Sequence, residues 1–149
     1  MGNVYLTAVA MLKVLEDGEI HIAGDFRDEV ADEGGSIYSI QAASKWLKDR
    51  GIPVHCHKKG WRSEWSLAAD AMQMHEYWLR ITREHYSQMV SHARASSLIT
   101  GTGSRKSYRE IVAACVTIGA SLGFDADRVL ADCKPRPSGL SERYHATAV

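Results

Sequence analysis

A chain of 149 residues is long enough for one domain with a sizeable core, or for a small domain with a helical extension. With 45% hydrophobic and 24% charged residues it has the make-up of a soluble globular protein, which excludes a fibrous or wholly disordered chain. No apolar run approaches the roughly twenty residues of a membrane span, and Met1–Leu15 carries Lys13 without a cleavage-site pattern, so no signal peptide is expected. Three widely spaced cysteines, Cys56, Cys115 and Cys133, suit a reducing compartment, and a cytoplasmic location is the expectation.

The formal net charge of zero hides an uneven distribution. Residues 1–35 hold Lys13 and Arg27 against eight acidic groups (Glu16, Asp17, Glu19, Asp25, Asp28, Glu29, Asp32 and Glu33), a net of −6. Residues 36–62 hold Lys45, Lys48, Arg50, Lys58, Lys59 and Arg62 against Asp49, a net of +5. Clustered cations attract phosphate whatever the total charge, because screening confines the field to about 10 Å.

In chain order, residues 4–17 predict a helix with Val4, Leu6, Val9, Ala10, Leu12, Val14 and Leu15 as its apolar positions, stopped by Gly18. Glu19-Ile20-His21-Ile22 alternates polar and apolar and predicts a short strand with the isoleucines inward. Asp25 is placed to cap a second helix, Phe26–Glu33, which Gly34-Gly35 breaks. Ser36 then caps a third helix, Ile37–Arg50. At 100° per residue, Ile37, Ile40, Ala43, Ser44 and Leu47 share one face; Tyr38, Gln41, Ala42 and Lys45 share the other, with Lys48 at its edge. After Gly51 a hairpin is predicted. Ile52, Val54 and Cys56 point inward and His55 and His57 outward. Lys58-Lys59-Gly60 forms the tip, and Trp61, Ser63, Trp65 and Leu67 face inward on the return strand.

Helix, short strand, helix, turn, helix and hairpin in that order resemble the winged helix-turn-helix superfamily over about residues 3–68. The residues that carry the resemblance are Trp46-Leu47-Lys48-Asp49-Arg50-Gly51-Ile52-Pro53-Val54, then Lys59-Gly60-Trp61, then Trp65-Ser66-Leu67. The acidic second helix and the loose Gly34-Gly35-Ser36 turn depart from the usual pattern. The resemblance implies a bacterial or phage-type regulator that reads double-stranded DNA with helix 37–50 in the major groove and the wing 52–67 along the backbone. Its expected DNA-contact residues are Ser36, Tyr38, Gln41, Ala42, Lys45, Lys48, His55, His57, Lys58, Lys59 and Arg62. Gln41 suits adenine and Lys45 suits guanine, while Lys58, Lys59 and Arg62 suit phosphates.

Residues 69–99 predict a long helix with a wide apolar stripe: Ala71, Met74, Trp78, Ile81, His85, Met89 and Ala93, joined by Leu79, Tyr86 and Val90. The stripe must be covered, either within the chain or by a second subunit or partner through Met74, Trp78, Ile81, His85 and Met89. Thr100–Lys106 predicts a short linker without the spacing of a phosphate-binding loop. Ser107 and Glu110 form an expected capping box for a helix through Ile111, Val112, Cys115, Val116, Ile118 and Leu122, ended by Gly123. Asp125 caps a last short helix through Val129 and Leu130, and residues 135–149 are expected to be a flexible tail. The domains expected are thus 1–68, 69–134 and the tail, in a mainly α fold with a small β-hairpin.

His55-Cys56-His57 is the one metal-like cluster in the sequence, but strand alternation turns Cys56 away from the two histidines, so no metal or cofactor is expected. No nucleophile–base pair or paired-carboxylate pattern suggests catalysis. The alternative left open is a non-catalytic protein-interaction module, such as a small phage-encoded inhibitor or adaptor. An enzyme, by contrast, would need a deep polar pocket between the halves.

Overall fold

The computed structural model describes residues 2–97 and 102–135. It is mainly helical, with one small three-stranded antiparallel sheet. The elements in chain order are α1 (Gly2–Leu15), β1 (His21–Ile22), a 3-10 turn (Ala23–Phe26), α2 (Arg27–Glu33), a second 3-10 turn (Ile37–Ser39), α3 (Ile40–Asp49), β2 (His55–Lys59) and β3 (Arg62–Ser66). Three helices follow, α4 (Ala71–Ser97), α5 (Thr102–Ser121) and α6 (Ala126–Asp132). The chain divides into two compact units, Met1–Trp78 and Leu79–Val149. No helix of the described residues is long and apolar enough to cross a membrane.

In the first unit, Thr7, Ala8, Ala10, Met11 and Leu12 are all fully buried, so α1 is enclosed on every side in its middle. It packs against both α2 and α3. A helix apolar all round is stable only in such a position. Both α2 and α3 end in the same way. Gly34 (φ 81°) and Gly51 (φ 78°) adopt the left-handed conformation that glycine reaches without a Cβ penalty. Paired amide bonds (Gly34 to Ala31, Gly35 to Val30; Gly51 to Lys48, Ile52 to Leu47) satisfy the last helical carbonyls.

The alternation predicted for the wing holds from Ile52 into β2: Ile52 and Val54, just before the strand, are buried, and within it Cys56 is half-buried while His55 and His57 are exposed. Three local expectations are corrected. The short strand is His21–Ile22 alone, and it joins the hairpin as a third strand, in the order β1-β3-β2 with His21 opposite Trp65. This pairing occupies the free edge of β3, whose backbone groups need partners. Ile20 lies outside the strand and is exposed, not inward. Asp25 does not cap α2: it sits in the 3-10 turn, where its carboxylate accepts from the amide of Ile22 at the start of that turn, while α2 begins beyond Phe26.

In the second unit, Tyr86, Val90 and Ala93 of α4 form a buried cluster with Cys115 of α5, Val129 of α6 and Cys133. Hydrogen bonds tie the cluster's rim, among them one from the Tyr108 hydroxyl to the Cys133 carbonyl (3.2 Å). The Tyr86 hydroxyl donates to Asp132 Oδ2 (2.7 Å) and Arg94 Nε donates to the Asp132 carbonyl (2.7 Å). At Gly119 the helices approach so closely that a Cβ would stand 2.6 Å from Val129 Cγ2 and 3.2 Å from Tyr86 Cε1. Asp125 caps α6 as expected, accepting from the amide of Arg128 (2.8 Å).

The predicted linker and capping box are both overturned from Thr102 onward. α5 already starts at Thr102, so Ser107 and Glu110 lie inside it. One glycine in a helix costs only about 1 kcal/mol, too little to stop a helix that is held elsewhere by its buried face. Thr100, Gly101 and most of the expected tail, 136–149, lie outside the described residues.

Candidate nucleic-acid interface

Ser36 opens the segment that carries most of the predicted contact residues. Its hydroxyl accepts from the Tyr38 amide and so caps the 3-10 turn leading into α3. Its amide donates to the hydroxyl of buried Thr7 in α1 (3.0 Å). The side chain of Ser36 therefore serves the fold at the start of α3.

Beyond this cap the predicted helix Ile37–Arg50 is divided into the 3-10 turn and α3, and the segment is two-faced, as its periodicity requires. Ile40, Ala43, Ser44 and Leu47 are buried; Tyr38, Gln41, Ala42, Lys45 and Lys48 are exposed, with Tyr38 at 95% exposure. The turn and helix thus offer solvent an aromatic hydroxyl from Tyr38, and an amide and two cations from Gln41, Lys45 and Lys48. Arg50, counted among the basic groups, folds back instead. Its guanidinium lies 3.7 Å from the centre of the Trp46 ring, and its Nη1 donates to the Trp46 carbonyl (3.0 Å).

The hairpin supplies the second set. His55, His57, Lys58, Lys59 and Arg62 are exposed. Register places Lys59 opposite Arg62 and Lys58 opposite Ser63, so the two lysines lie on opposite faces of the ribbon. Beyond the core both faces meet water, so cations occupy each. Arg62 is partly offset by Glu64, 3.7 Å away. No carboxylate among the described residues pairs with Lys45, Lys48, Lys58 or Lys59. The tip itself is Gly60-Trp61, not the predicted Lys58-Lys59-Gly60, because both lysines belong to β2. Gly60 takes φ 67° and Trp61 a negative φ, the signs of the tight turn that matches strand twist. Trp61, expected inward, stands 97% exposed: its parity is that of Trp65, but the core ends before it.

On the outer face of the sheet, Ile20, His55, His57, Glu64 and Ser66 line an open hollow of about 180 Å³. The two imidazole rings are parallel within 9° with centres 6.3 Å apart. Among the described residues no group of three or more side chains is arranged to hold a metal ion.

The acidic segment has its own organisation around His21. Nε2 of this ring is 2.8 Å from Asp17 Oδ2 and Nδ1 is 3.1 Å from Asp25 Oδ2. Burial alone would lower the His21 pKa, but hydrogen bonds and charge from Asp17 and Asp25 outweigh it and hold the value above 6.5. A raised folded-state pKa stabilises the fold fully below the unfolded value, and that stabilisation disappears as pH rises through the folded value. Wild type should therefore exceed His21→Gln in stability at pH 5.5 by more than at pH 8.5, measured by urea denaturation. A gap that is constant across this range would refute the ionic clamp.

The partner stripe of α4 is largely used within the chain. Ile81 is fully buried, Met89 packs against the C-terminal cluster, and the Trp78 indole donates to Glu16. Met74 and His85 are half-buried, and burial lowers the His85 pKa. In the second unit, burial and then the neighbouring Cys133 push the Cys115 thiol up to about 12, which keeps it protonated. Comparison with protein-family models, with curated proteins and with solved structures finds no match to this chain.

Proposed function

We propose that residues 1–68 form a winged helix-turn-helix domain that binds double-stranded DNA, with α3 in the major groove and the β2–β3 hairpin on the neighbouring backbone, as a transcriptional regulator would. The observation that carries the reading is the exposed face of the 3-10 turn and α3, followed directly by the cationic hairpin: Tyr38, Gln41, Lys45, Lys48, Lys58 and Lys59 all face solvent, and the four lysines have no carboxylate partner among the described residues. The element order and the strand order β1-β3-β2 support the winged arrangement. Gln41 and Lys45 carry the groups that read base edges, whereas Lys58 and Lys59 position the domain through phosphates.

Fluorescence anisotropy of a labelled duplex across a salt series tests this. The wild type should bind at low salt and weaken steeply as salt rises. A Lys45→Ala, Lys58→Ala, Lys59→Ala triple variant should lose affinity at least tenfold, and its log–log salt slope should be shallower by about 1.8, at 0.9 for each of the Lys58 and Lys59 phosphate contacts. Its melting temperature should hardly change, since exposed substitutions of this kind shift stability by about 0.5 kcal/mol or less.

A second reading is favoured by the acidic first 35 residues, where Asp28 and Asp32 stand exposed on α2. Under it the winged domain docks a basic protein, as an inhibitor or adaptor would. A wild type that fails to bind duplex at low salt would overturn the DNA reading in favour of this one.

A further inference from the structure

Building on the DNA-binding reading of this surface, we infer that Trp61 is the apolar anchor of the hairpin and that its indole enters the minor groove of the bound duplex. The placement of Trp61 has no role in folding: it is 97% exposed, whereas Trp65 is 3% exposed. Trp46 lies under the Arg50 guanidinium, and Trp78 donates to Glu16. An indole this exposed leaves the largest apolar side chain in the hydrophobic repertoire in water, where it contributes nothing to stability until something covers it.

Its surroundings name the cover. Trp61 and Gly60 make a two-residue tip, and the space beside Gly60 is open, with nothing within 4 Å of a Cβ built there. Directly behind it Lys59 faces Arg62 across the ribbon, with Lys58 on the other face. A narrow tip with cations on both sides suits a slot walled by phosphates. The minor groove, about 6 Å wide, is such a slot, and apolar side chains enter it against sugars and base steps. The indole Nε1–H is a donor, and the groove floor at A·T pairs presents only acceptors. Charge brings the tip to the groove, and burial of the indole then adds binding that salt does not screen.

The test compares wild type, Trp61→Ala and Trp61→Phe on an A·T-rich duplex by anisotropy over a salt series. Trp61→Ala should bind about tenfold or more weakly at every salt with an unchanged salt slope, while Trp61→Phe keeps most of the affinity. Saturating the duplex beforehand with a minor-groove-binding polyamide should bring the wild type down to the level of Trp61→Ala and leave that variant little altered. Trp61→Ala binding within twofold of wild type, while the triple lysine variant loses affinity, would overturn the anchor and leave the DNA reading standing. An equal effect of the polyamide on both proteins would overturn the placement in the minor groove. No binding by the wild type at low salt would overturn both readings together.

Discussion

Replacing Phe26 with alanine should destabilise the first unit by about 4 kcal/mol, the middle of the range for deleting a buried aromatic ring. Phe26 is fully buried and is the last residue of the 3-10 turn that joins β1 to α2. Its ring meets Trp65 edge-on, centres 5.9 Å apart at 75°, and lies 5.9 Å from the His21 ring. Both neighbours are held by the sheet, where His21 pairs with Trp65, so the site cannot collapse to fill the space and a cavity term adds to the lost burial. Urea denaturation followed by circular dichroism measures the loss. A change under about 1 kcal/mol would mean that the sheet and α2 are held together elsewhere. Tyr38→Ala is the contrast: another aromatic lost, but one 95% exposed, so its stability should move by no more than about 0.5 kcal/mol.

The second large effect is expected at Gly35, and for a reason unrelated to backbone dihedrals. A Cβ there would stand 2.5 Å from the Thr7 hydroxyl, 2.9 Å from the Thr7 amide nitrogen and 3.0 Å from its Cα. Two of these atoms belong to the backbone of a fully buried stretch of α1 and cannot rotate away. The added methyl would also wedge apart the Ser36 amide and the Thr7 hydroxyl, whose bond locks the α2–α3 turn to α1. Gly35→Ala should therefore lose about 3 kcal/mol, the high end of overpacking, with a further loss if the Ser36 amide is left unpaired. Gly34→Ala provides the scale. Gly34 has the left-handed φ of 81°, but its Cβ would come no nearer than 3.7 Å, to Leu6 Cδ1, so strain alone should cost about 1 kcal/mol. If Gly34→Ala proved the worse of the two in thermal denaturation, the close approach at Thr7 would not be what positions α3. On the DNA-binding reading, Gly35→Ala should also weaken duplex binding without touching a single contact residue, because the turn aims α3.

Local pattern was sufficient wherever a physical period meets a local stop. The 3.6-residue period of Ile40, Ala43, Ser44 and Leu47 identified the buried face of α3 and, by exclusion, the solvent face with Tyr38, Gln41, Lys45 and Lys48. Alternation ordered Ile52, Val54 and Cys56 against His55 and His57, and the glycines at 18, 51 and 123 mark helix ends with left-handed φ values. The candidate interface was legible for the same reason: exposed polar positions follow once the apolar ones are assigned.

What the sequence did not disclose depends on distant partners. Parity tells which side of a strand a residue takes but not where the core beneath it stops, so Trp61 and Trp65 share a pattern while one is 97% and the other 3% exposed. The third strand exists because β3 has an edge for His21–Ile22 to pair with, a fact contained in neither segment alone. α5 runs through Gly103 and Ser107 although their local preferences favour an end, since burial of its later turns against Tyr86 and Val129 outweighs the small cost. Gly35 reads in sequence as a helix breaker, yet its decisive feature is contact with Thr7, 28 positions away by subtraction of their numbers. Sequence by itself determined the periodicities, the glycine stops at 18, 34, 51 and 123 and the caps at Ser36 and Asp125, because those are set by neighbours within a turn or two. The tertiary structure decided which edges pair, where the core ends and which small residues admit a close approach, because those energies arise only when segments far apart in the chain meet.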